Sequence, residues 1–424
     1  MIDRTIEPKI NEAAKPVIIL PEAISLDNGL PVHILNAGTQ EVTRLDFIFE
    51  AGLWHESKPL QSALSNAMMQ EGSERYSGAQ IAEIMDFRGS YIQFVVDHHF
   101  GTISLISLNK HLPHLLPVIE DLIKHSSFEQ HEFETLINRR KQRFLLENKK
   151  VKVLCQKKFS EVLFGNQHPY SQKVKKEDFQ SISRDDLYDF YTTFYRSGNC
   201  RILATGNTDA QLAHLLNQHF GDNDWQGGKM VLPSFSIQSS DKKVHQVKKK
   251  DAIQSAIRVG CLMVKKDHPD FHGLQVLNTI LGGYFSSRLM ANIREEKGYT
   301  YGIGSSILSL SEAGYLVIAT ETDQTYVNDT ISEIFAELNR LRDEPVSEQE
   351  LKRVRQYLLG EFIRDFDGPF AQAHSFRSVA DFGLDHRFHE QYYQTLMNIT
   401  PEKLQTLAQQ YFIESEFYTV VAGA

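Results

Sequence analysis

The sequence predicts an α+β protein built from two homologous halves, and three observations support this fold class. The pattern of residues 182–187 (ISRDDL) recurs at residues 399–404 (ITPEKL), an offset of 217 positions that continues without a gap to Gly206 and Gly423. Capping-box patterns precede a long helical stretch at corresponding places in both halves. Strand pairs are mixed with helices rather than alternating strictly with them, which favours an α+β sandwich over a parallel α/β fold.

The elements of the first half follow from the spacing of apolar residues. Residues 42–49 and 91–107 read as strands, whereas residues 62–69, 77–88 and 132–148 have the periodicity of amphipathic helices. A short apolar strand that ends in glycine closes each half, at residues 202–206 and 420–423.

Helix starts are predicted from residues whose side chains can accept a backbone N–H bond. Ser183 and Thr400 are expected N-caps of the repeated helix, and Pro401 suits its first position. Two further patterns resemble capping boxes: Ser127-x-x-Gln130 and Ser347-x-x-Glu350. The seam between the halves is expected in the polar, glycine-rich residues 221–229 and the charged stretch that follows. This divides the chain into residues 1–235 and 236–424.

Composition excludes several classes of protein. The 424 residues carry 45 basic and 54 acidic side chains, a formal charge of −9, which argues against a nucleic-acid surface. The basic clusters at residues 139–141, 173–176 and 248–250 are interpreted as solvated faces. No apolar run approaches the roughly 20 residues of a membrane span. Three scattered cysteines and an acidic beginning without an apolar signal core favour the cytoplasm.

Four strings in this order carry a resemblance to a known family: LDNGLPVHIL (residues 26–35), LDFIFEAG (45–52), GNQHPYS (165–171) and LGGYFSSRLMANIREEKGYTYGI (281–303). Together they resemble the insulinase-like (pitrilysin) zinc peptidase family, in the branch of mitochondrial processing peptidase and its short bacterial relatives. The resemblance implies two homologous αβ sandwich halves of the mitochondrial-processing-peptidase/LuxS-like metallohydrolase type.

The resemblance also implies a zinc motif that this chain lacks. Active members carry H-x-x-E-H on the first helix after the AG-containing strand, where histidines at i and i+4 share one face and the glutamate acts as general base. Alignment from Gly72 places Ala63, Asn66 and Ala67 on these positions. Neither alanine has a donor atom and an amide is no carboxylate base, so no zinc is expected in this chain, although Glu134 and Glu147 lie on the later helix.

Substitute sites receive little support from the sequence. His98 and His99 are expected on a strand with opposite orientations, and His386 and His389 are interpreted as surface residues. Pro113 lies between His111 and His114, so this pair is no better supported as a metal site. His55 and His168 are assigned to turns or packing. No serine lies in a G-x-S-x-G elbow and no cysteine has a protease signature, while residues 281–285 match neither nucleotide-binding pattern.

The second half retains two residues to which the resemblance assigns substrate binding. In active relatives an arginine and a tyrosine face the zinc site across a chamber and contact the peptide backbone, and the matching residues here are Arg294 and Tyr301. The sequence places Arg294 near the end of a helix over residues 287–297, Gly298 at its αL stop and Tyr301 at the start of a strand. The alternative is a surface ion pair for Arg294 and core packing for Tyr301.

Arg288, Gly282 and Gly283 are weaker candidates from the same string. The glycines allow close backbone approach or a flexible loop, and Arg288 either holds the helix start or lines the chamber.

These features predict a noncatalytic subunit of a heteromeric zinc metallopeptidase. It would supply Arg294 and Tyr301 to a homologous partner that carries H-x-x-E-H and zinc, for hydrolysis of peptides or unfolded polypeptides. The bound peptide would add as a strand to a sheet edge in the partner's site. The alternative is a proteolytically inactive scaffold resembling core subunits of a respiratory complex. A third hypothesis is an enzyme that acts alone through a novel site.

Overall fold

The computed structural model describes residues 15–171, 173–209, 211–227 and 233–423. Within these ranges the chain forms two mixed sheets with helices packed on their faces. The strands are β1 (Glu22–Ser25), β2 (Pro31–Asn36), β3 (Val42–Phe49), β4 (Tyr91–Val96), β5 (Gly101–Leu108), β6 (Cys200–Gly206), β7 (Val244–Lys248), β8 (Ser255–Met263), β9 (Thr300–Ser309), β10 (Gly314–Thr322) and β11 (Tyr418–Gly423).

The helices follow the strands in a repeating order. They are α1 (Gln61–Met68), α2 (Gly78–Phe87), α3 (Leu112–Lys124), α4 (Gln130–Glu147), α5 (Val151–Phe164), α6 (Asp178–Ser181), α7 (Arg184–Phe194), α8 (Gln211–Phe220), α9 (Phe271–Asn278), α10 (Val327–Asp343), α11 (Glu348–Arg364), α12 (Pro369–Ala380), α13 (Arg387–Asn398) and α14 (Pro401–Tyr411). Two wider π-helical segments occur in the second half, at Thr279–Gly283 and Met290–Glu296.

The two sheets repeat one topology. The first has the order β1-β2-β6-β3-β5-β4 and the second the order β7-β11-β8-β10-β9. In each sheet the closing strand, β6 or β11, pairs in parallel with one neighbour and antiparallel with the other. Apart from the added strand β1, the second sheet reproduces the first strand for strand. The α+β fold class with two homologous halves is therefore confirmed.

The 217-residue offset is visible in the folded chain. Helices α7 and α14 begin and end 217 positions apart, and each leads into a closing strand. Ser183 and Thr400 cap these helices by accepting bonds from the backbone N–H three residues on. The N-cap predictions at both residues are correct.

The other two capping predictions fare differently. The Ser127 box is wrong, because α4 begins after Glu129 without a side-chain cap. Phe128 adopts a left-handed conformation (φ 50°), which separates Ser127 from the helix. Ser347 does accept a bond from the Glu350 amide, at 3.2 Å. The reciprocal bond of a capping box, from the Ser347 amide to the Glu350 carboxylate, is missing because this carboxylate pairs with Arg288 instead.

Each half contributes one helix that packs on the sheet of the other half. Helix α5, from the first half of the sequence, packs on β8 and β11 of the second sheet, whereas α12, from the second half, packs on β6 and β2 of the first. We call the sheet faces that carry these helices the inner faces. Residues 228 and 229 of the expected seam lie outside the described residues. The boundary near residue 235 stays a prediction, and packing crosses it in both directions.

The opposite faces of the sheets carry the two large apolar cores, each closed by the remaining helices of its own half. A third cluster includes Phe159 and Leu163 of α5, Trp54 and Tyr170 of the first half, and Val420 of β11. This cluster joins the halves. None of the helices in the described ranges combines the length and the apolar character needed to cross a membrane.

Candidate functional site

Helix α1 carries the three positions that the resemblance assigns to zinc binding. Ala63 and Ala67 lie four residues apart on its partly exposed face, while Asn66 is 2% exposed. The Asn66 amide donates to the hydroxyl of buried Tyr195 at 3.0 Å. Burial raises the pKa of that phenol. The motif helix is thus held by packing and one buried hydrogen bond.

These residues do not fit a zinc ion. Two alanines provide no ligand and the Asn66 amide is already bound inside the core. On the later helix, Glu134 accepts from Gln130 and Glu147 pairs with Lys150, both at exposed positions. The described part of the chain contains no group of three or more histidine, cysteine or acidic side chains placed to hold a metal ion.

The structure brings Arg294 and Tyr301 together on the second half. Arg294 lies in the wide turn Met290–Glu296, and Gly298 follows with φ +68°, the αL stop that the sequence indicates. Tyr301 is the second residue of β9, the edge strand of the second sheet. Wide helical turns of this kind are frequent at functional sites.

Arg294 is held between two aromatic rings. Its guanidinium carbon lies 4.9 Å from the ring centroid of Phe285 and 5.9 Å from that of Tyr301. Phe285 is 63% exposed and Tyr301 is 93% exposed. Within the described residues Arg294 has no carboxylate within 4.0 Å. The arrangement contains neither the ion pair nor the core aromatic of the alternative interpretation.

Hydrogen bonds fix the backbone on which Tyr301 stands. Thr322 Oγ1 donates to the Tyr299 carbonyl at 2.6 Å, and Thr300 Oγ1 donates to the Glu321 carbonyl at 2.7 Å. The β9–β10 register shifts at this point, between the partners of Thr320 and Thr322. Such irregularities re-aim side chains. The exposed phenol therefore projects from a well-fixed strand.

The weaker candidates occupy structural positions. Arg288 makes a bidentate ion pair with Glu350, with N–O distances of 3.0 and 2.9 Å. The Arg288 side chain is 11% exposed. A Cβ at Gly282 would lie 2.7 Å from the Ser305 nitrogen, so close backbone approach requires glycine there. Gly283 is less tightly enclosed, with its nearest neighbours at 3.3 Å. These contacts favour support of the site over contact with a substrate.

A cavity of about 370 Å³ opens beside Tyr301 on the inner face of the second sheet. The cavity begins beside Lys152, in the first turn of α5, where this helix does not cover the second sheet. A Cβ at Gly302 would meet nothing within 4 Å, which shows how open this face is. The lining residues are Lys152, Gln254, Ala256, Ile257, Arg258, Thr300, Tyr301, Gly302, Ala319, Thr320 and Glu321.

Two of these residues were missed by the sequence analysis. Arg258 lies on β8, where its guanidinium donates to Gln156 at 3.4 Å, while Lys152 lies on α5. Burial lowers the pKa of Arg258. No sequence signal marks either residue, because their proximity results from the helix that crosses between the halves.

The histidine predictions need two corrections. His98 and His99 lie in the turn between β4 and β5, not within a strand, and both contact Tyr170. Asp97 causes this by accepting bonds from the amides of residues 99 and 100, which closes a tight turn. His389 is buried rather than on the surface, with Nε2 3.1 Å from the Ser375 carbonyl.

The packing roles of His55 and His168 agree with the structure. His55 packs on Phe194, and His168 Nδ1 accepts from the Tyr170 amide at 3.2 Å. Burial lowers the pKa of His55 to about 4 and that of His99 to about 4. His99 contacts Trp54 and Tyr170 of the cluster that joins the halves, where the Glu312 amide donates to Tyr170 Oη at 3.0 Å.

Fold and site together define an α+β protein of two homologous halves whose first half lacks metal-binding side chains at Ala63, Asn66 and Ala67. Residues 181–358 match the family described as Peptidase M16 inactive domain. An uncharacterized zinc protease of Bacillus subtilis, YmxG, is 23% identical over 79% of this chain and 82% of its own. The beta subunit of mitochondrial-processing peptidase from Rattus norvegicus is 24% identical over 84% of this chain and 76% of its own.

A crystal structure shows the same fold. The peptidase M16 inactive domain from Pseudomonas fluorescens superposes with a TM-score of 0.85 at 20% identity, covering 95% of this chain and 98% of that one. The chain thus resembles the insulinase-like, or M16, zinc peptidase family, and it lacks H-x-x-E-H.

Proposed function

We propose that this chain is the noncatalytic subunit of a heteromeric zinc metallopeptidase that hydrolyses peptides or unfolded polypeptides. It supplies Arg294 and Tyr301 to a homologous partner, and the partner supplies zinc and the general base. The chain is inactive by itself in this proposal.

The observation that carries the proposal is the presentation of the arginine and tyrosine. Arg294 has two aromatic neighbours and no carboxylate partner among the described residues, and Tyr301 is 93% exposed. A guanidinium and a phenol can both donate to a peptide carbonyl and stabilise negative charge that develops on it during hydrolysis. A buried or neutralised pair would be unsuited to this task.

The proposal needs a partner because the described part of the first half contains no group of side chains that could replace the missing zinc motif. Ala63 and Ala67 cannot bind a metal, and Asn66 is committed to Tyr195. The proposed partner is an H-x-x-E-H-bearing relative whose motif helix faces Arg294 and Tyr301. The rival function, a scaffold without proteolysis, needs neither side chain.

We also propose the cytoplasm as the compartment. Cys155, Cys200 and Cys261 are buried and free. Cell fractionation with an antibody to the chain tests this: recovery from the periplasm or from outside the cell would contradict it.

The test of function is cleavage of an unstructured fluorogenic peptide by the purified chain, and by the complex that the chain captures from its source lysate. We expect cleavage by the complex alone, abolished by a zinc chelator, with zinc in the captured partner. Cleavage by the isolated chain would overturn the proposal. A captured complex that contains no peptidase activity would support the scaffold.

A further inference from the structure

We infer that the cavity beside Tyr301 is a carboxylate-binding pocket, which selects peptides that place an acidic side chain or their C-terminal carboxylate next to the Arg294–Tyr301 pair. The inference rests on the proposed function, because it treats the ligand of this face as a peptide. It adds the chemical class that the site prefers.

The first observation is an arginine without an anion. Arg258 lines the cavity from β8, half-buried, and in the described part of the chain no carboxylate lies within 4.0 Å of its guanidinium. Among the described residues, its guanidinium forms one side-chain hydrogen bond, a long one of 3.4 Å to Gln156. Burial of a cation without a partner is costly, so an incoming carboxylate would be favoured here.

The second observation is that other positive groups surround the same space. Lys152 lines the cavity from the first turn of α5, and it too has no carboxylate within 4.0 Å in the described ranges. The start of a 14-residue helix adds partial positive charge. Arg294 does not line the cavity, but its guanidinium carbon lies 5.9 Å from the ring centroid of Tyr301, which does. Two cations thus line one open cavity, and a third lies beside one of its lining residues.

One acidic residue opposes them. Glu321 lines the cavity from β10, and its carboxylate forms no ion pair within 4.0 Å in the described ranges. The lining therefore carries two cations against one anion, with Arg294 adjacent. Gln254 and Thr320 provide uncharged polar groups at the same wall. The excess of donors fits a carboxylate better than an ammonium group.

The inner face of the first sheet provides an internal contrast. There, Arg44 pairs with Asp46 at 2.9 Å, and Arg201 and Arg377 both pair with Asp381. The arginines on that face are neutralised within the fold. On the second sheet the fold leaves Arg258 available.

The experiment measures binding of fluorescent decapeptides to the full chain by anisotropy. The parent peptide is unstructured, uncharged and amidated at its C-terminus. A first set replaces one residue at a time with glutamate, a second with lysine, and one further peptide has the free C-terminal carboxylate. The glutamate set and the free-acid peptide distinguish the two sources of the carboxylate.

We expect at least one acidic peptide to bind about five- to tenfold more tightly than the parent at low salt. Arg258→Gln should remove this gain, Lys152→Gln should reduce it, and Arg258→Lys should keep part of it. Arg340→Gln, at an exposed cation paired with Glu344, is the matched control and should retain the gain. The melting temperature of each variant shows that it is folded.

Three results would overturn the pocket. Equal affinity for the acidic, neutral and basic peptides would show no charge selection, and tighter binding of the lysine set would assign the site to Glu321. A gain that survives Arg258→Gln would place the carboxylate elsewhere. Failure of every peptide to bind, including the neutral parent, would instead count against the proposed function on which the pocket depends.

Discussion

The two halves share a topology but differ in how the polar groups on their inner sheet faces are satisfied. On the first sheet, Asp46 is 2% exposed and accepts from Arg44 and from Ser104. On the second sheet, the one side-chain hydrogen bond of Arg258 among the described residues is a long bond to Gln156, and Tyr301 is exposed at the edge. The polar groups of the first face are therefore satisfied within the fold, whereas the second face leaves donors free for the proposed peptide.

The crossing helices explain how this difference arises within one repeated fold. Helix α12 covers the first sheet, where Asp381 at its C-terminal end pairs with Arg201 of β6 and Arg377 donates to Thr102 of β5. Helix α5 covers the second sheet with mainly apolar residues and stops short of β9. The same topological position therefore neutralises one face and leaves part of the other open.

Loss of the contact between α5 and the second sheet should have the largest effect on the free energy of unfolding. Phe159 is 1% exposed, and its ring lies so close to Gly260 that a Cβ there would be 2.8 Å from it. Phe159→Ala should lower the free energy of unfolding by about 3–5 kcal/mol. Since α5 belongs to one half and its sheet to the other, both sheets should lose hydrogen-exchange protection together. Urea unfolding and amide exchange measure this.

Phe87→Ala is the control for that change, because Phe87 is 86% exposed on α2. It should alter stability by less than about 0.5 kcal/mol. Destabilisation confined to the second sheet would show that the halves unfold independently, as two separate domains.

Substitutions at the proposed site in the second half should reduce the activity of the assembled enzyme. Arg294→Ala combined with Tyr301→Phe should reduce kcat/KM of the reconstituted complex by about 10²–10³-fold, the usual loss on removing donors to a developing oxyanion. Assembly should be unchanged, since both side chains are outside the core. Asn66→Asp serves as the first-half counterpart and should restore no activity to the isolated chain. Full activity of the double variant would favour the scaffold.

The contrast between the inner faces predicts opposite responses to loss of a charge. Asp46→Ala should cost about 2–3 kcal/mol, since it leaves Arg44 without its partner beside a buried hydroxyl. Arg258→Gln should cost less than about 1 kcal/mol because no ion pair is lost. Urea unfolding of both variants measures the difference. Equal costs would show that Arg258 is structural.

The sequence predicted the local features of the site well. Gly298 stops the helical segment, Tyr301 begins β9, and Asn66 occupies a packed helix, because each depends on residues close in the chain. The repeat offset likewise predicted α7 and α14 with their caps. Such signals survive in one sequence since backbone geometry and periodicity are local.

The errors concern contacts that local patterns do not contain. Alternation along a strand placed His98 and His99 on opposite faces, but the Asp97 turn overrides it. The apolar face of α5 does not indicate which sheet it covers. For the same reason, Arg258 and Lys152 gave no signal: whether a cation is paired is decided by the tertiary fold.

The smallest effect is on the pH dependence of stability, through His99, which contacts Trp54 and Tyr170 of the cluster that joins the halves. Burial lowers the pKa of His99 to about 4, and that of His55 to about 4. The unfolded chain, with histidine near 6.5, binds protons that the folded chain does not, so stability falls as pH drops from 6.5 toward 4. Around His99, Asp97 favours its protonation whereas His98 and His55 oppose it.

His99→Gln should narrow the difference in unfolding free energy between pH 7 and pH 5 by about 1 kcal/mol, a value reduced for partial exposure of the ring. Glutamine can still bond to Tyr170, which His99 Nε2 approaches at 2.7 Å. His114→Gln, at an exposed position on α3, should leave the difference unchanged. Because Tyr170 accepts from the Glu312 amide, the protection factor of that amide, which corrects for slower intrinsic exchange in acid, should fall at pH 5 in the unmodified chain. An unchanged protection factor there would show that acid acts within the first half and leaves the junction intact.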